Sequence, residues 1–409
     1  MPRNLDIVAI YYTCVVNSVP DSDQAYDWTP TDGGEDPLRN YEALRDRCPV
    51  AHSEAQGWSL LRHADALAAL HEPATFSSRV STHVAVPNGM DGAEHAAFRA
   101  IVDRCFTPER VAAFAPQLRG IAQSLVADLP VTAGLTVEVM DGLAEPYAAR
   151  AQCAYLGWST SVAEDLRAWA IESRLATRSR DRDELDRVAR RFDHIIVAEL
   201  DRARAQSAAT PPSLTHQLLA ERVNGRPLTD EELVSIVRNW TAGELGTISA
   251  AVGIMVAFLA RYRDMQDLLR ARPNLRQAAI DEMLRLEPPL LSNRRRTTRT
   301  VLVAGRSIPA EEPVTILWPA VQHDPTVFPE PSEFRPDRDA AHNLLYGRGV
   351  HYCPGEGLAR LELEIALDTL LMQRPGFRVA AAPVRAIPPA GGFAEVQVTW
   401  VPSQRNPNS

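Results

Sequence analysis

The most constraining feature of the sequence is a long apolar stretch, from Leu228 to about Arg261, that contains no proline. It opens with Thr229, and Glu232 follows three residues later, which is the pattern of a capping box at a helix N-terminus. We therefore predict one helix about 45 Å long, at 1.5 Å per residue. A helix of that length is expected to run through the middle of one large domain.

The composition is that of an ordinary globular protein. The 409-residue chain is 45% hydrophobic and 23% charged, which excludes a collagen-like or disordered molecule. Its net charge of −9 gives no indication of nucleic-acid binding. The cysteines are too few and too scattered for a disulfide framework or a paired-cysteine metal site. We therefore expect a soluble protein of the reducing cytoplasm.

The chain is expected to form one main domain with short extensions. Residues 1–35 are an N-terminal extension, and its apolar run Ile7–Val16 is too short to span a bilayer, so we expect no membrane association. Residues 36–402 are the domain, mostly helix with a minor sheet component, and 403–409 are a tail. The pattern predicts helices at 37–47, 64–70 and 357–373, strands at 57–62, 301–303 and 314–317, a loop at 78–93, mainly helix over 93–286 and a proline-rich meander at 325–338.

A glycine-rich loop with one cysteine precedes the last predicted helix. Residues 346–362 read Tyr-Gly-Arg-Gly-Val-His-Tyr-Cys-Pro-Gly-Glu-Gly-Leu-Ala-Arg-Leu-Glu, and Cys353 lies among the glycines. Glycine lets backbone N–H groups approach closely, and a helix N-terminus favours a thiolate over a thiol. The loop alone indicates a metal-bound thiolate or, equally well, a buried structural cysteine. A phosphate loop is disfavoured, because neither glycine-rich phosphate motif is matched.

The same run resembles the haem-binding signature of the cytochrome P-450 haem-thiolate monooxygenases, FGxGxHxCxGxxLAR. Only the first aromatic residue differs, since Tyr346 stands where the family has phenylalanine. The resemblance covers about residues 36–400 and implies a haem b cofactor, with Cys353 as axial ligand of the iron and Gly347 and Gly355 beside it. It also implies the family's fold, a triangular, mainly α single domain with minor β structure whose long central helix crosses over the haem.

A second motif lies about seventy residues upstream. Glu282 and Arg285 are spaced i, i+3 on a predicted helix, where they share a face and can pair. Such a spacing alone is typical of an exposed ion pair. By resemblance to the family, the arginine also joins Arg338 of the segment Phe-x-Pro-x-Arg and holds the meander behind the haem.

The family resemblance also assigns partners to the two haem propionates, which need cationic or donor groups when they are buried. His95 and Arg99 share one helix face in a stretch similar to the family's C-helix. Arg295, with either neighbouring arginine as an alternative, matches a third propionate ligand. His351, two residues before the cysteine, matches the fourth.

The long helix departs from the family in its distal motif. The family has A-G-x-[Asp/Glu]-Thr, whereas residues 242–247 read Ala-Gly-Glu-Leu-Gly-Thr. Leu245 occupies the position of the acid and Gly246 that of the alcohol. Because that pair ordinarily delivers protons during dioxygen activation, the usual proton delivery is not expected here.

Four residues of this segment are the candidate catalytic set. Gly243 and Gly246 lie on one face, where their small size allows a flat ligand or dioxygen to approach the backbone. Glu244 and Thr247 flank the gap and could substitute through water, although neighbouring helix residues point about 100° apart. The alternatives are a relay through substrate groups or water, peroxide as the oxygen source, and hydrogen abstraction followed by coupling of phenols or indoles.

The absence of the acid–alcohol pair favours a dedicated biosynthetic enzyme over a detoxifying enzyme with a broad range of substrates. The sequence therefore predicts oxidative tailoring of one natural product, aromatic or peptide-derived, by hydroxylation or by aromatic or phenolic coupling. Arg238, one turn before the distal motif, is expected either to bind a substrate carboxylate or to face solvent. The weaker candidates for substrate contact are Val84, Val86, Thr241, Leu291 and Phe393.

The sequence leaves rival functions open. A catalytically silent haem-binding accessory protein would also lack the acid–alcohol pair, a peroxygenase would use peroxide, and a protein without haem would carry an inert Cys353. No flavin or iron–sulfur motif accompanies the haem segment, so resemblance to bacterial members implies a ferredoxin and a ferredoxin reductase as electron donors, docking on the side of Cys353. We expect a monomer that binds a small-molecule or peptide substrate.

Overall fold

The computed structural model describes residues 37–53, 56–81, 84–132, 134–179, 181–206, 212–374, 376–388 and 390–401. The N-terminal extension with its apolar run and the tail at 403–409 lie outside the described residues, so both remain expectations.

Helices form most of the described chain, as the sequence predicts. A π-helical turn, Met140–Ala144, directly precedes the α-helix Glu145–Leu156. The α-helices are α1 (Pro37–Arg47), α2 (His63–His71), α3 (Gly92–Cys105), α4 (Pro108–Asp128), α5 (Glu145–Leu156), α6 (Thr160–Ser179), α7 (Arg182–Ala205), α8 (Leu214–Ala220), α9 (Asp230–Arg261), α10 (Arg263–Ala271), α11 (Arg276–Leu286), α12 (Trp318–Gln322) and α13 (Glu356–Gln373).

The strands are short, with two to six residues each. They are β1 (Val50–Ser53), β2 (Gly57–Leu60), β3 (Phe76–Ser77), β4 (Thr136–Glu138), β5 (Arg222–Val223), β6 (Arg226–Pro227), β7 (Ser292–Thr297), β8 (Val301–Val303), β9 (Arg306–Ile308), β10 (Pro313–Leu317), β11 (Phe377–Val379), β12 (Val384–Arg385), β13 (Phe393–Glu395) and β14 (Gln397–Trp400).

The larger described sheet joins strands that are far apart in sequence. Its order is β1-β2-β10-β7-β3, with β10 parallel to β2 and antiparallel to β7. A second sheet has the order β11-β14-β4. The prediction of helix over 93–286 missed β4 and the β5–β6 hairpin, because strands of two or three residues are too short to show periodicity.

The long helix α9 is the element around which the other helices pack. It begins after Thr229, whose Oγ1 accepts from the Glu232 amide at 3.2 Å while the Glu232 carboxylate accepts from the Thr229 amide at 2.8 Å. The predicted capping box is therefore confirmed. The helix is long and apolar enough to cross a membrane by composition, but 67% of its most apolar window is buried inside the protein. We interpret it as the core helix.

Three glycines weaken α9 intrinsically, and the structure separates their roles. A Cβ at Gly253 would overlap the sulfur of Met140, so this glycine is required for close packing. A Cβ at Gly243 or Gly246 would have no heavy atom within 4 Å. The middle of α9 therefore borders open space, whereas its C-terminal half is tightly packed.

This contrast predicts opposite effects of one substitution at two positions. Gly253→Ala gains about 1 kcal/mol of helix propensity but overpacks the contact with Met140, which typically costs about 1–3 kcal/mol. We expect a lower thermal unfolding midpoint for Gly253→Ala and an unchanged or higher one for the control Gly246→Ala. Equal shifts in the two variants, measured by circular dichroism, would contradict the packing role of Gly253.

Candidate active site

The cysteine loop is held in a fixed shape by its own backbone. The Cys353 amide donates to the carbonyl of Tyr346 at 3.0 Å, and Gly347 and Gly349 adopt positive φ angles of 71° and 73°. A Cβ at Gly349 would overlap the carbonyl of Leu70. The loop therefore needs glycine at these positions to turn and to fit against α2.

The Cys353 thiol is enclosed at the start of α13. The Gly355 amide donates to its sulfur, as the position before a helix predicts, but burial outweighs this contact and raises the pKa of the Cys353 thiol. The donation from the helix N-terminus therefore acts in the predicted direction, towards the thiolate, but it is smaller than the effect of burial. A buried thiol of this kind ionises when a metal ion supplies the compensating charge.

The predicted cation cluster is assembled from α3, β7 and the cysteine loop. The rings of His95 and His351 lie 4.2 Å apart. Burial, with His95 and Arg295 nearby, lowers the pKa of His351 to about 4, and burial also lowers the pKa of His95. Arg99 donates to Asp103 at 2.6 Å and to the carbonyl of Val350 at 3.1 Å, so it joins α3 to the loop.

Arg295 is the arginine of its strand that faces this cluster. Burial lowers the pKa of its guanidinium, whose Nη1 donates to the carbonyl of Arg294 at 2.7 Å. Within the described ranges it forms no ion pair with a carboxylate. Its neighbour Arg296 is exposed and pairs with Glu311 at 3.5 Å. An enclosed cation without an acid partner requires an anion from elsewhere.

The sequence analysis missed the residues that position His351. Its Nε2 lies 3.0 Å from the hydroxyl of Ser78 and 3.7 Å from Asp91. The Asp91 carboxylate also accepts from the Ser78 amide at 3.1 Å and from the hydroxyl of Ser77 at 2.5 Å. In the sequence, the one indication of a structural role for Asp91 is its position directly before a predicted helix, at the end of a loop without periodicity.

The structure brings Glu282, Arg285 and Arg338 together, although it joins the two arginines through the acid and not to each other. Arg285 donates to the two oxygens of Glu282 at 2.7 and 2.8 Å, and Arg338 donates to Oε1 at 3.0 Å. The side chains of Glu282 and Arg285 are 4% and 1% exposed. The same arginines also donate to the meander carbonyls of Pro331 and Pro329. This network fixes the meander against α11.

The candidate catalytic residues of α9 lie around the open space beside the helix. Gly243 and Gly246 are exposed there, although they belong to a mostly buried helix. The Thr247 hydroxyl donates to the carbonyl of Gly243 at 2.9 Å, so its proton is engaged by the helix backbone. Glu244 directs its carboxyl group to Glu362 on α13, a partner that the sequence analysis quoted without assigning it a role.

Three of the candidate substrate contacts are occupied by contacts within the protein in this structure. Arg238 is not free, because Asp193 on α7 accepts from it at 2.7 Å. Thr241 is fully buried and accepts from Gln152 of α5 at 2.9 Å. Val86 is also fully buried, in the main core.

The remaining candidates keep accessible surface. Val84 is 38% exposed, and Leu291 and Phe393 are half-buried. They are contributed by the loop before α3, by the segment before β7 and by β13. These three residues stay candidates for contact with a substrate.

The residues present fit a flat, dianionic prosthetic group with a thiolate ligand. A half-buried cysteine lies at one side of the site, and glycines on α9 leave open space. The predicted cluster supplies counter-charge through Arg99 and through Arg295, which has no carboxylate partner among the described residues. Among the described residues there is no separate group of three or more metal-ligating side chains. Cys353 is the residue of this site that could hold a metal ion.

The buried ion network predicts a large effect of one substitution. Glu282→Gln leaves Arg285 and Arg338 without a counter-charge, and removing one partner of a buried pair typically costs about 3–5 kcal/mol. The control is Glu330→Gln, since Glu330 is 64% exposed and pairs with Arg335 at 3.5 Å; we expect a change below about 1 kcal/mol. Equal unfolding free energies of the two variants in urea would contradict the role of the network.

Comparison with known proteins agrees with this site. The family model described as cytochrome P450 matches residues 161–392. The erythromycin C-12 hydroxylase of Saccharopolyspora erythraea is 30% identical over 341 residues, which cover 80% of this chain and 84% of that protein. The pentalenic acid synthase of Streptomyces avermitilis is 29% identical over 388 residues, with 89% and 94% covered.

Solved structures show the same fold. A mutant of P450 EryK in complex with erythromycin B matches with a TM-score of 0.81 at 27% identity, over 90% of this chain and 97% of that one. A post-tailoring hydroxylase involved in himastatin biosynthesis matches with a TM-score of 0.78 at 25% identity, over 89% and 97%. The chain therefore belongs to the cytochrome P450 family, and it is an oxidoreductase with haem b as its cofactor.

Proposed function

We propose that this oxidoreductase performs the oxidative tailoring of one natural product, aromatic or peptide-derived, by hydroxylation or by aromatic or phenolic coupling. The observation that carries the proposal is the combination of a complete cysteine loop and cation cluster with an α9 that lacks the acid–alcohol pair. Relatives named as an erythromycin hydroxylase, a cyclomarin C epoxidase and an epothilone epoxidase support natural-product oxidation as the class of reaction.

In this proposal the chain's own residues hold the cofactor and shape its surroundings. Cys353 is the iron ligand, and the Gly355 amide moderates its donor strength. Arg99 and Arg295 supply positive charge to the propionates, and the imidazoles of His95 and His351, whose pKa values burial lowers, bind them as neutral hydrogen-bond donors. Bound haem supplies the activation of dioxygen or peroxide for oxidation of the substrate.

The substrate is proposed to lie between the open face of α9 and the half-buried apolar residues around it. Gly243 and Gly246 leave room on the helix, while Val84, Leu291 and Phe393 supply apolar surface for an aromatic ring. Arg238 is excluded from this set while Asp193 engages it. Recognition of a substrate carboxylate by Arg238 would first require this ion pair to open.

Electrons are proposed to come from a ferredoxin and its reductase, because such donors are typical of bacterial relatives. Docking is expected on the Cys353 side. We further propose a cytoplasmic monomer.

A peroxygenase is the second candidate function, and the distal motif is the observation that favours it. Leu245 is buried and apolar, and Gly246 offers no hydroxyl, so neither member of the usual proton-delivering pair is present. Peroxide brings oxygen with its protons already attached. Product formation with hydrogen peroxide alone, at the rate obtained with the ferredoxin pair, would favour this function.

The proposal predicts a mass difference between extracts of the producing organism with and without the gene. The extract without the gene is expected to lack one product and to accumulate another compound. The lost product is either one oxygen heavier or two hydrogens lighter than the compound that accumulates. The first outcome indicates insertion of oxygen, and the second indicates coupling or desaturation. Complementation with Cys353→Ala should fail, whereas the control Cys48→Ala should restore the product. Extracts that do not differ would contradict the proposal and favour a catalytically silent accessory protein.

A further inference from the structure

One face of α9 carries a continuous stripe of residues, each three or four positions after the last. Residues at this spacing lie above one another on a helix. The two central members of the stripe are exposed glycines, whereas the members at both ends are buried or half-buried. The open space beside α9 is therefore closed at each end of the same face. The stripe consists of Ser235, Asn239, Gly243, Gly246, Ala250 and Ile254.

The loop before α3 covers the N-terminal end of the stripe. The Ser235 hydroxyl donates to the carbonyl of Val84 at 2.8 Å and accepts from the amide of Val86 at 2.9 Å. The Asn239 side-chain amide donates to the carbonyl of Val86 at 3.0 Å. Both backbone polar groups of Val86 are thus paired with side chains of α9, while its own side chain is fully buried in the main core.

These hydrogen bonds fix the position of the loop on the helix. The loop's own backbone hydrogen bonds form a turn over residues 85–90, which shapes its tip but does not join it to α9. A buried backbone N–H or C=O group that loses its partner is costly. Without Ser235 and Asn239, Val86 would therefore leave its buried position or remain there with unpaired backbone groups.

The segment before β13 covers the other end of the stripe. A Cβ at Gly392 would lie 2.9 Å from Cγ1 of Ile254 and 3.5 Å from the carbonyl of Ala250. The backbone of this segment therefore lies directly on α9. Phe393, a candidate for substrate contact, is the next residue along the chain. This end of the stripe is covered by close packing against a glycine.

The open part of the stripe has a definite length. Asn239 and Ala250 are eleven positions apart in sequence, which corresponds to about 16 Å at 1.5 Å per residue. Val84 belongs to the loop at the first end and is 38% exposed, and Phe393 is half-buried at the second. A ligand that lies along the open face of α9 would meet the loop at one end and the segment before β13 at the other.

We propose that Ser235 and Asn239 are positioning residues that select the substrate by its length. They hold residues 84–86 against α9 as a fixed end wall of the substrate site, and this end wall excludes molecules too long for the open part of the stripe. Neither residue needs to touch the substrate, because each acts through the loop that it binds. The selection of a natural substrate rests on the proposed function, whereas the end wall itself does not.

The end wall is tested by the binding of azoles to the haem-loaded protein. An imidazole nitrogen binds haem iron and shifts its absorption band, so dissociation constants can be measured without the natural substrate. The probes are imidazole, 4-phenylimidazole and 4-(biphenyl-4-yl)imidazole, which differ in length. We expect Ser235→Ala and Asn239→Ala each to tighten the longest azole at least about fivefold relative to imidazole, the change expected for loss of one hydrogen bond.

The matched control is Ser249→Ala on the same helix. The Ser249 hydroxyl is also buried, but it donates to backbone carbonyls of α9 itself, so this variant should keep the wild-type ratio of azole affinities. Release of the loop is measured separately, by hydrogen exchange of the Val86 amide. This amide should exchange at least about fivefold faster in Ser235→Ala and at the wild-type rate in Ser249→Ala.

Two results would overturn the proposal. Faster exchange of the Val86 amide with an unchanged ratio of azole affinities would mean that the released loop is not a wall, and an unchanged exchange rate would mean that Ser235 does not hold the loop. A role in stability alone would lower the thermal unfolding midpoint without changing the ratio. Should Ser235→Ala fail to fold, the ratio in Asn239→Ala decides, because Asn239 is half-buried.

The outcomes also separate this inference from the proposed function. A changed ratio of azole affinities, together with extracts that do not differ when the gene is lost, would support the end wall and reject the tailoring function. An unchanged ratio, with a product still missing from the extract without the gene, would reject the end wall and support the function.

Discussion

The buried carboxylate of Glu282 is the interaction on which the proximal half of the structure depends. It neutralises Arg285 and Arg338, and the arginine donors that remain are taken by backbone carbonyls of the meander and of Gln322. A segment rich in proline cannot form a regular hydrogen-bond ladder, so its carbonyls need such side-chain donors. By binding them, the network fixes the chain that leads into the cysteine loop, and hence the position of Cys353.

Two parts of α9 have different surroundings, which the spacing of apolar residues in its sequence does not distinguish. Towards its C-terminal end, Gly253 allows contact with Met140, and large side chains fill the core. Near its middle, Gly243 and Gly246 face open space, where a side chain would find nothing to pack against. Glycine therefore allows close packing at position 253 and leaves open space at positions 243 and 246. Only the residues that surround each glycine show which of the two roles it has.

Local features were predictable from the sequence, whereas contacts between distant segments were not. The cap at Thr229 follows from two residues three apart. The choice of Arg295 came from the family resemblance, and the sequence left both neighbouring arginines open. The ion pair of Arg238 with Asp193 joins two helices whose mutual register no local pattern specifies. Glu362 was visible in the sequence as an ordinary helix residue. Its interaction with Glu244 appears only when α13 packs against α9.

Charge balance distinguishes the three buried ionic clusters and relates them to function. Around Glu282 an acid is matched by arginines, and the cluster is structural. Around Arg295 a guanidinium is enclosed without a contacting carboxylate among the described residues, and we propose that the haem propionates supply the anion. At Glu244 and Glu362 acids are enclosed without a cation, so the pair requires protons. Because an enclosed, unbalanced charge is costly, a fold is expected to retain one only where a ligand or a proton completes it.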